Sequence, residues 1–241
     1  MTNLAIIVIG ASSAIARAFV KIQARHNPNV KVITVSRQAK ETSQASNLHF
    51  QCDYSKAQIR QVAMHILELG FEVKSVSIFN GLLHDEIDKF PEKKLEDIDL
   101  DYSMALFNIN TMLPMLWLQA LLPAIKGKQP CIVTALSARV GSISDNRIGG
   151  WYSYRSSKAA LNMMFKSAAV ELARRAKNVK LVLFHPGTTD TPLSKPFQAN
   201  VPEDKLFTPE FVANQLSGII ANSPPDGTVS YVDWQNKPIE W

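Results

Sequence analysis

Tyr154 and Lys158 are the two side chains of this 241-residue chain whose types and spacing best fit acid–base chemistry. Four residues apart on a helix, they would lie on one face, within reach of a shared ligand. The ammonium charge of Lys158 favours the phenolate and lowers the pKa of Tyr154 toward neutral pH. A tyrosine tuned in this way can donate or accept the proton that accompanies hydride transfer to a carbonyl. Because such a pair also arises by chance, its context decides its meaning.

A loop of small residues, 10–16, supplies part of that context. It stands between the first apolar run and the first helical pattern, where free N–H groups at a helix N-terminus can bind pyrophosphate. Gly10 allows the tight turn, and the small Ala14 and Ala16 allow a cofactor to approach closely. An ordinary strand-to-helix turn with a serine cap is the alternative. The predicted cofactor contacts in this loop are Gly10, Ser12, Ser13, Ala14 and Ile15.

The ends of the second and third strands indicate which cofactor would bind. The second strand closes on Ser36 and Arg37, and no acid follows until Glu41. A hydroxyl beside a guanidinium suits a 2′-phosphate, so NADP(H) is preferred and NAD(H) is second. A solvated surface arginine is the alternative for Arg37. Asp53, at the end of the third strand, would accept from the adenine amino group or cap the next helix.

The elements that must position these residues alternate between strand and helix. Short apolar runs typical of buried parallel strands lie at 4–9, 30–35, 48–52, 73–79, 131–136, 179–184 and 229–233. Helical patterns follow the first run and cover 57–69, 101–125, 155–175 and about 208–221. This alternation predicts a single α/β domain over 1–241, a Rossmann-like, doubly wound parallel sheet of about seven strands with helices on both faces.

Composition excludes several other classes of protein. The apolar share of 46% is too high for disorder, and the net charge of +5 forms no dense basic block, so no nucleic-acid partner is predicted. Polar residues and prolines interrupt the apolar stretch 104–125, which favours a buried helix over a membrane span. Cys52 and Cys131 lie in strand-like runs, so we expect reduced thiols and a cytoplasmic protein. No histidine has metal-binding spacing, so no metal is expected.

With these features in place, the chain resembles the short-chain dehydrogenase/reductase superfamily almost from end to end. The stretch 137–158 is similar to the C-factor and carbonyl-reductase (sniffer-like) branch of that superfamily. The motifs that carry the resemblance are the 10–16 loop, Asp53, Asn110, the pair Tyr154 and Lys158, and the segment 186–191.

The resemblance implies a role for each matching residue. Tyr154 would be the acid/base, and Lys158 would lower its pKa and hold the nicotinamide ribose. Asn110 would support a water relay to the lysine, and Ser137 would hydrogen-bond the substrate oxygen. The segment 192–207 would form a substrate lid, with a long exposed loop as the alternative. The nicotinamide carboxamide and phosphates would be held by Pro186, Gly187, Thr189 and Thr191.

Three departures from the superfamily pattern bear on these roles. Ala138 occupies the usual serine position, so either a bulge aims Ser137 at the substrate or another hydroxyl such as Ser142 replaces it. Gly81 aligns with a glycine of the superfamily, and Asn80, which is predicted to contact the cofactor, falls on an alanine position. In the phosphate loop, two alanines stand in for two glycines.

The sequence therefore predicts an NADP(H)-dependent oxidoreductase that moves a hydride between nicotinamide and a small aldehyde, ketone or secondary alcohol. The alternative is a catalytically weak nucleotide-binding scaffold or a C-factor-like signalling protein. The resemblance further implies a homodimer or homotetramer.

Overall fold

The computed structural model describes residues 3–39, 45, 47–84 and 89–241. Its strands are β1 (Leu4–Ile9), β2 (Lys31–Ser36), β3 (Leu48–Gln51), β4 (Glu72–Ile78), β5 (Cys131–Leu136), β6 (Val179–His185), β7 (Thr188–Thr189), β8 (Leu206–Phe207) and β9 (Val229–Asp233). Seven of them form one sheet in the order β3-β2-β1-β4-β5-β6-β9, and every neighbouring pair is parallel. The expected parallel sheet of about seven strands is confirmed.

Helices cover both faces of this sheet. They are α1 (Ala14–His26), α2 (Lys56–Glu68), α3 (Leu100–Phe107), α4 (Leu113–Ile125), α5 (Tyr152–Arg175) and α6 (Pro209–Ala221). Buried side chains of α2, α4 and α5 share one core with the sheet, and those of α1 and α6 share the other. Strands covered on both faces must be apolar throughout, which explains the continuous runs in the sequence. The architecture is the predicted doubly wound α/β fold.

The strand order places a crevice beside β1. Because the chain winds from β1 outward to β2 and β3 and then returns to β4 on the other side, the helices diverge between β1 and β4. Ligands of open parallel sheets bind at the carboxyl ends of the strands at such a point. The loop after β1 lies there, and its Gly10 N–H donates to the Val35 carbonyl at the end of β2 (3.0 Å).

The predicted helix 101–125 is interrupted in the structure. Residues Asn108–Met112 form a π-helical turn between α3 and α4. The whole stretch Leu100–Ile125 is long and apolar enough to cross a membrane by length and composition alone. Leu106 and Trp117 are nevertheless completely buried in the protein interior. The stretch packs as a core helix, in line with the interpretation of its polar and proline residues.

The segment between β6 and α6 has more structure than the sequence indicated. Strands β7 and β8 form a small parallel pair at its two ends. Single 3-10 turns, Lys195–Phe197 and Glu203–Lys205, lie between them. Gly187, just before β7, has φ +70°, and a Cβ there would lie 2.6 Å from the Phe207 ring. Glycine is therefore required at this position for both conformation and space.

Candidate active site

A cavity of about 430 Å³ opens at the carboxyl edge of the sheet, in the crevice between β1 and β4. It is bounded by the loop after β1, the ends of β4, β5 and β6, and one face of α5. Most of the predicted site residues line it: Ser12, Ser13, Ala14, Ile15, Asn80, Gly81, Ser137, Tyr154, Lys158, Pro186, Gly187, Thr189 and Thr191. Gly10 forms the turn at the start of the loop after β1. The structure thus brings together residues that are up to 181 positions apart in the chain.

Helix α5 presents Tyr154 and Lys158 to this cavity. Both side chains are largely buried, with 8% and 2% of their surface exposed. The Lys158 Nζ donates to the Leu136 carbonyl at the end of β5 (2.9 Å) and lies 5.8 Å from the centre of the Tyr154 ring. The helical spacing of four residues has placed the pair on one face, as predicted.

Burial dominates the ionisation of both groups. Desolvation raises the pKa of Tyr154 above its ordinary value, and the nearby Tyr231 adds to that rise. Desolvation also lowers the pKa of Lys158 to about 7. Desolvation therefore moves the pKa of Tyr154 in the opposite direction to the lowering expected from the sequence, and Tyr154 is protonated at neutral pH.

The charge of Lys158 is expected to be lost as the pH rises through about 7, because burial disfavours its protonated form. NMR of protein carrying ¹³C-labelled lysine would show one side-chain resonance titrating near neutral pH, and Lys158→Met would remove it. If lysine ionisation supports proton donation, kcat/KM for carbonyl reduction falls over the same pH range. A Lys158 resonance that titrates only near pH 10 would contradict the expectation.

Ser137 and Ser142 occupy different environments. Ser137 follows β5 directly, lines the cavity and is 3% exposed. Ser142 lies beyond the 3-10 turn Arg139–Gly141, where its Oγ contacts Ser144 Oγ (3.3 Å) and accepts from the Asp145 N–H (3.2 Å). Of the two serines weighed from the sequence, Ser137 is therefore the one beside Tyr154 and Lys158.

Asn110 is completely buried on the π-helical turn. Its Oδ1 accepts from the Leu82 N–H (2.8 Å), and its Nδ2 donates to the Leu82 carbonyl (2.9 Å) and to Ser157 Oγ (3.1 Å). The side chain thus connects the chain after β4 to helix α5. Turns of this type often mark functional sites. Its predicted part in a water relay stays a prediction.

The cavity fits a dinucleotide in two respects. Gly10 has φ +76°, and a Cβ there would lie 3.0 Å from the Asn80 backbone nitrogen, so β1 and β4 are in close contact at the loop. Within the described residues, the buried Oδ1 of Asn80 has no hydrogen-bond partner. A buried acceptor at the cavity wall is suited to a ligand hydroxyl. Ser13 caps α1 by accepting from the Ala16 N–H (3.3 Å), which leaves earlier N–H groups of this turn for phosphate.

The residues predicted to read the 2′-phosphate and the adenine lie in a neighbouring cleft. Arg37 and Asp53 both line it, at the ends of β2 and β3. The Ser55 N–H donates to Asp53 (2.7 Å), and this bond lowers the pKa of that carboxyl. Ser55 rather than Asp53 caps α2. Ser36 is completely buried and its Oγ accepts from the Gln38 N–H (3.2 Å), so the structure does not bring it to the surface of either cleft.

Aromatic side chains pack against Tyr154. The Trp151 ring meets the Tyr154 ring edge-on at 6.1 Å and the Phe197 ring at 5.0 Å. Residues Pro192, Leu193 and Ser194 of the predicted lid line the cavity as well. The His84 Nε2 lies 3.1 Å from the Leu193 carbonyl, so the predicted lid contacts the loop after β4.

Sequence reasoning missed two residues at this site. Arg17, in the first turn of α1, lines the cavity beside the loop 10–16. Its position in the sequence directly after that loop could have identified it. Glu92 is 2% exposed and accepts from the N–H of Ser153 (3.3 Å to each carboxylate oxygen) and from its hydroxyl. It caps the N-terminus of α5 from a distant loop, and no local sequence signal predicts that contact.

Comparison with known proteins agrees with this geometry. The sequence profile of short chain dehydrogenases matches residues 4–202. A 1-hydroxy-2-glutathionyl-2-methyl-3-butene dehydrogenase of Rhodococcus sp. (strain AD45) is 31% identical over 78% of this chain and 76% of its own length. The C-signal protein of Myxococcus xanthus is 32% identical over 61% of this chain and 83% of its own length.

Among solved structures, the NADPH-bound carbonyl reductase from chicken fatty liver superposes with a TM-score of 0.82 at 20% identity, over all of both chains. The resemblance drawn from the motifs, including the carbonyl-reductase and C-factor relatives, is confirmed. The chain therefore belongs to the short-chain dehydrogenase/reductase family of oxidoreductases.

Proposed function

We propose that the protein is an NADP(H)-dependent oxidoreductase that moves a hydride between nicotinamide and a small aldehyde, ketone or secondary alcohol. The observation that carries this proposal is the shared cavity, in which Tyr154, Lys158 and Ser137 face the phosphate loop across the switch point of the sheet. When bound, the nicotinamide supplies or accepts the hydride. The protein has to orient the cofactor and the carbonyl or alcohol substrate, and it has to transfer one proton.

The binding part of the proposal assigns contacts to this chain's own groups. The N–H groups of Ser12, Ala14 and Ile15 and the Arg17 guanidinium, which belong to residues that line the cavity, would bind the pyrophosphate. Asn80 Oδ1 would accept from a cofactor hydroxyl, and Lys158 would hold the nicotinamide ribose. Arg37 would pair with the 2′-phosphate, and Asp53 would accept from the adenine amino group. The NADPH-bound relative supports a preference for NADP(H).

The chemical part assigns proton transfer to Tyr154. Its phenol reaches the cavity from a buried position, and desolvation keeps it protonated until a substrate oxygen gains negative charge. In reduction it donates the proton to that oxygen, and in oxidation it takes the proton from the alcohol. Ser137 touches the same oxygen. The segment 192–207, whose Pro192, Leu193 and Ser194 line the cavity, would exclude water from the reacting atoms.

A nucleotide-binding scaffold with little catalysis is the second candidate. The alanines of the phosphate loop favour it, because they replace two glycines where the cofactor must approach, and the C-signal relative is named for a signal rather than for a reaction. The pair Tyr154 and Lys158 in the cavity favours the enzyme. Turnover separates the two candidates, because a scaffold binds the nucleotide and reduces nothing.

Titration with NADPH and NADH, followed by fluorescence, tests the cofactor assignment. We expect tighter binding of NADPH, and Arg37→Ala should weaken it roughly tenfold to a hundredfold because a charge-assisted bond to phosphate is lost. NADH binding should not change in this variant. Oxidation of NADPH with benzaldehyde, butanal and cyclohexanone then tests the reaction.

Arg25→Ala, at the far end of α1, is the matched control and should bind both nucleotides like the wild type. Equal weakening of NADPH and NADH by Arg37→Ala would contradict the 2′-phosphate contact. Binding of NADPH without oxidation by any carbonyl would favour the scaffold.

The proposal also covers the compartment and the oligomeric state of the protein. Cys52 and Cys131 are buried free thiols, which fit a reducing compartment such as the cytoplasm. Met104, Met163 and Val170 expose apolar surface on α3 and α5, where 61%, 64% and 54% of each residue is accessible. These helices would pair copies of the chain in a homodimer or homotetramer.

A further inference from the structure

Asn162 completes a stripe of polar side chains along α5. It follows Tyr154 by eight residues and Lys158 by four, so the three lie on one face of the helix. It is 3% exposed, and its Oδ1 accepts from Ser137 Oγ at 2.7 Å. The serine at the cavity wall is therefore held by the same helix that carries the tyrosine and the lysine.

The orientation of the Asn162 amide follows from its other partner. The Asn162 Nδ2 donates to the Gly141 carbonyl at 3.3 Å. A carbonyl oxygen can only accept, so the NH₂ group must face Gly141 and the Oδ1 must face Ser137. A serine hydroxyl has one proton and two lone pairs. The contact with Asn162 sets the position of the Ser137 oxygen beside the cavity, and the single proton can rotate from Asn162 to a substrate oxygen that accepts it.

The turn after β5 makes this contact specific to position 137. The Ala138 carbonyl accepts from the Tyr231 hydroxyl (2.7 Å), and Ser137 N–H donates to the Phe184 carbonyl (2.9 Å). A Cβ on Gly141 would lie only 2.7 Å from the Lys158 Cβ. The turn after β5 thus packs closely against α5, and Ser137 contacts Asn162.

We propose that Asn162 is a positioning residue for the reaction, which acts by fixing the hydroxyl of Ser137 at the cavity wall beside Tyr154. This role rests on the proposed function, since it requires that Ser137 touches the substrate oxygen. Asn162 also explains how a serine one residue ahead of the usual position reaches the site. Of the two hydrogen-bond partners named for Asn162, Ser137 is the one that lines the cavity, so we expect its effect on the reaction to pass through Ser137.

A double-mutant cycle tests this dependence. Ser137→Ala should lower kcat about a hundredfold, because one polar contact to the reacting oxygen is lost. Asn162→Leu should lower kcat roughly tenfold or more through misplacement of the hydroxyl. The double variant should match Ser137→Ala within about threefold, since Asn162 has nothing left to position. Affinity for NADPH should stay unchanged throughout.

Two further variants sharpen the result. Asn162→Asp is isosteric, and its protonated form can donate to the Gly141 carbonyl while keeping an oxygen toward Ser137, so at a pH where this carboxyl is protonated it should retain more kcat than Asn162→Leu. Ser142→Ala should leave kcat as in the wild type, because its hydroxyl faces Ser144 and Asp145. Thermal midpoints and NADPH affinity report folding, and Asn162→Ser replaces Asn162→Leu in the cycle if the leucine variant does not fold.

The outcomes separate this role from the proposed function. Losses that multiply in the double variant would overturn the role of Asn162, as would equal losses in the aspartate and leucine variants. A drop in Ser142→Ala equal to that of Ser137→Ala would assign the hydroxyl contact to Ser142 and overturn it too. A wild-type protein that binds NADPH and reduces no carbonyl would overturn the proposed function and this role with it.

Discussion

Replacing Tyr154 with phenylalanine is expected to lower kcat for carbonyl reduction by about 10²–10⁴-fold, the usual contribution of a positioned acid. The variant removes one hydroxyl and keeps the ring, which packs edge-on against Trp151. Affinity for NADPH should therefore change little, and the thermal midpoint should stay near that of the wild type. Stopped-flow or steady-state oxidation of NADPH, together with a fluorescence titration, measures the two effects separately.

Tyr152→Phe provides the matched control for this result. Tyr152 begins the same helix but is not among the residues that line the cavity. Its phenylalanine variant should keep the wild-type kcat. A Tyr154→Phe variant that also kept it would show that the proton comes from another group, and the mechanism proposed for the cavity would be wrong.

The strands could be predicted closely because burial on both faces leaves a local signal. The runs Leu4–Ile9, Cys131–Leu136 and Val229–Asp233 have the predicted bounds. Each is a continuous apolar run in a sheet that is covered by helices on both sides. The doubly wound parallel sheet was predictable from the alternation of strands and helices.

Two features that sequence reasoning missed depend on contacts between distant parts of the chain. The π-helical turn Asn108–Met112 contains Asn110, whose amide pairs with the Leu82 backbone 28 residues earlier. The pair β7 and β8 joins segments separated by a long irregular stretch. Neither arrangement has a periodicity that a single sequence displays.

The placement of Tyr154 and Lys158 on one helix face and of the loop 10–16 after β1 was predictable because this geometry is local. Spacing of four on a helix fixes the relation between Tyr154 and Lys158, and a glycine after a strand fixes the turn. Their ionisation was not predictable from the pair alone, since desolvation depends on the whole cavity. The choice between Ser137 and Ser142 was open because the sequence does not show which hydroxyl lies at the cavity. In the structure Ser137 lies there, in contact with Asn162.

Glu92 shows how far the site depends on such distant contacts. It lies in a charged, surface-like stretch, yet its carboxylate receives both the N–H and the hydroxyl of Ser153, 61 residues later. Its carbonyl also accepts from the Trp151 N–H (2.6 Å). Trp151, at the start of α5, has φ 52°, and its side chain makes no cap of its own. Helix α5 therefore begins at the point where Glu92 accepts these hydrogen bonds.

Glu92→Ala is expected to lower the free energy of unfolding by about 3 kcal/mol, since hydrogen bonds to a charged group contribute about 1.5–3 kcal/mol each. The first N–H groups of α5 would lose a negatively charged partner at the positive end of the helix dipole. Glu92→Gln keeps the shape and one acceptor, so it should lose roughly half as much. Urea unfolding followed by circular dichroism measures these changes.

Glu96→Ala is the matched control, because Glu96 is an exposed carboxylate in the same segment, and its unfolding free energy should stay within about 0.5 kcal/mol of the wild type. Equal stability of the Glu92 and Glu96 variants would show that the distant cap contributes nothing. If the cap also sets the start of α5, kcat falls in Glu92→Ala at temperatures where the protein remains folded. Tyr154 lies less than one helical turn beyond Ser153, so a shift of the helix start moves the phenol away from the substrate oxygen.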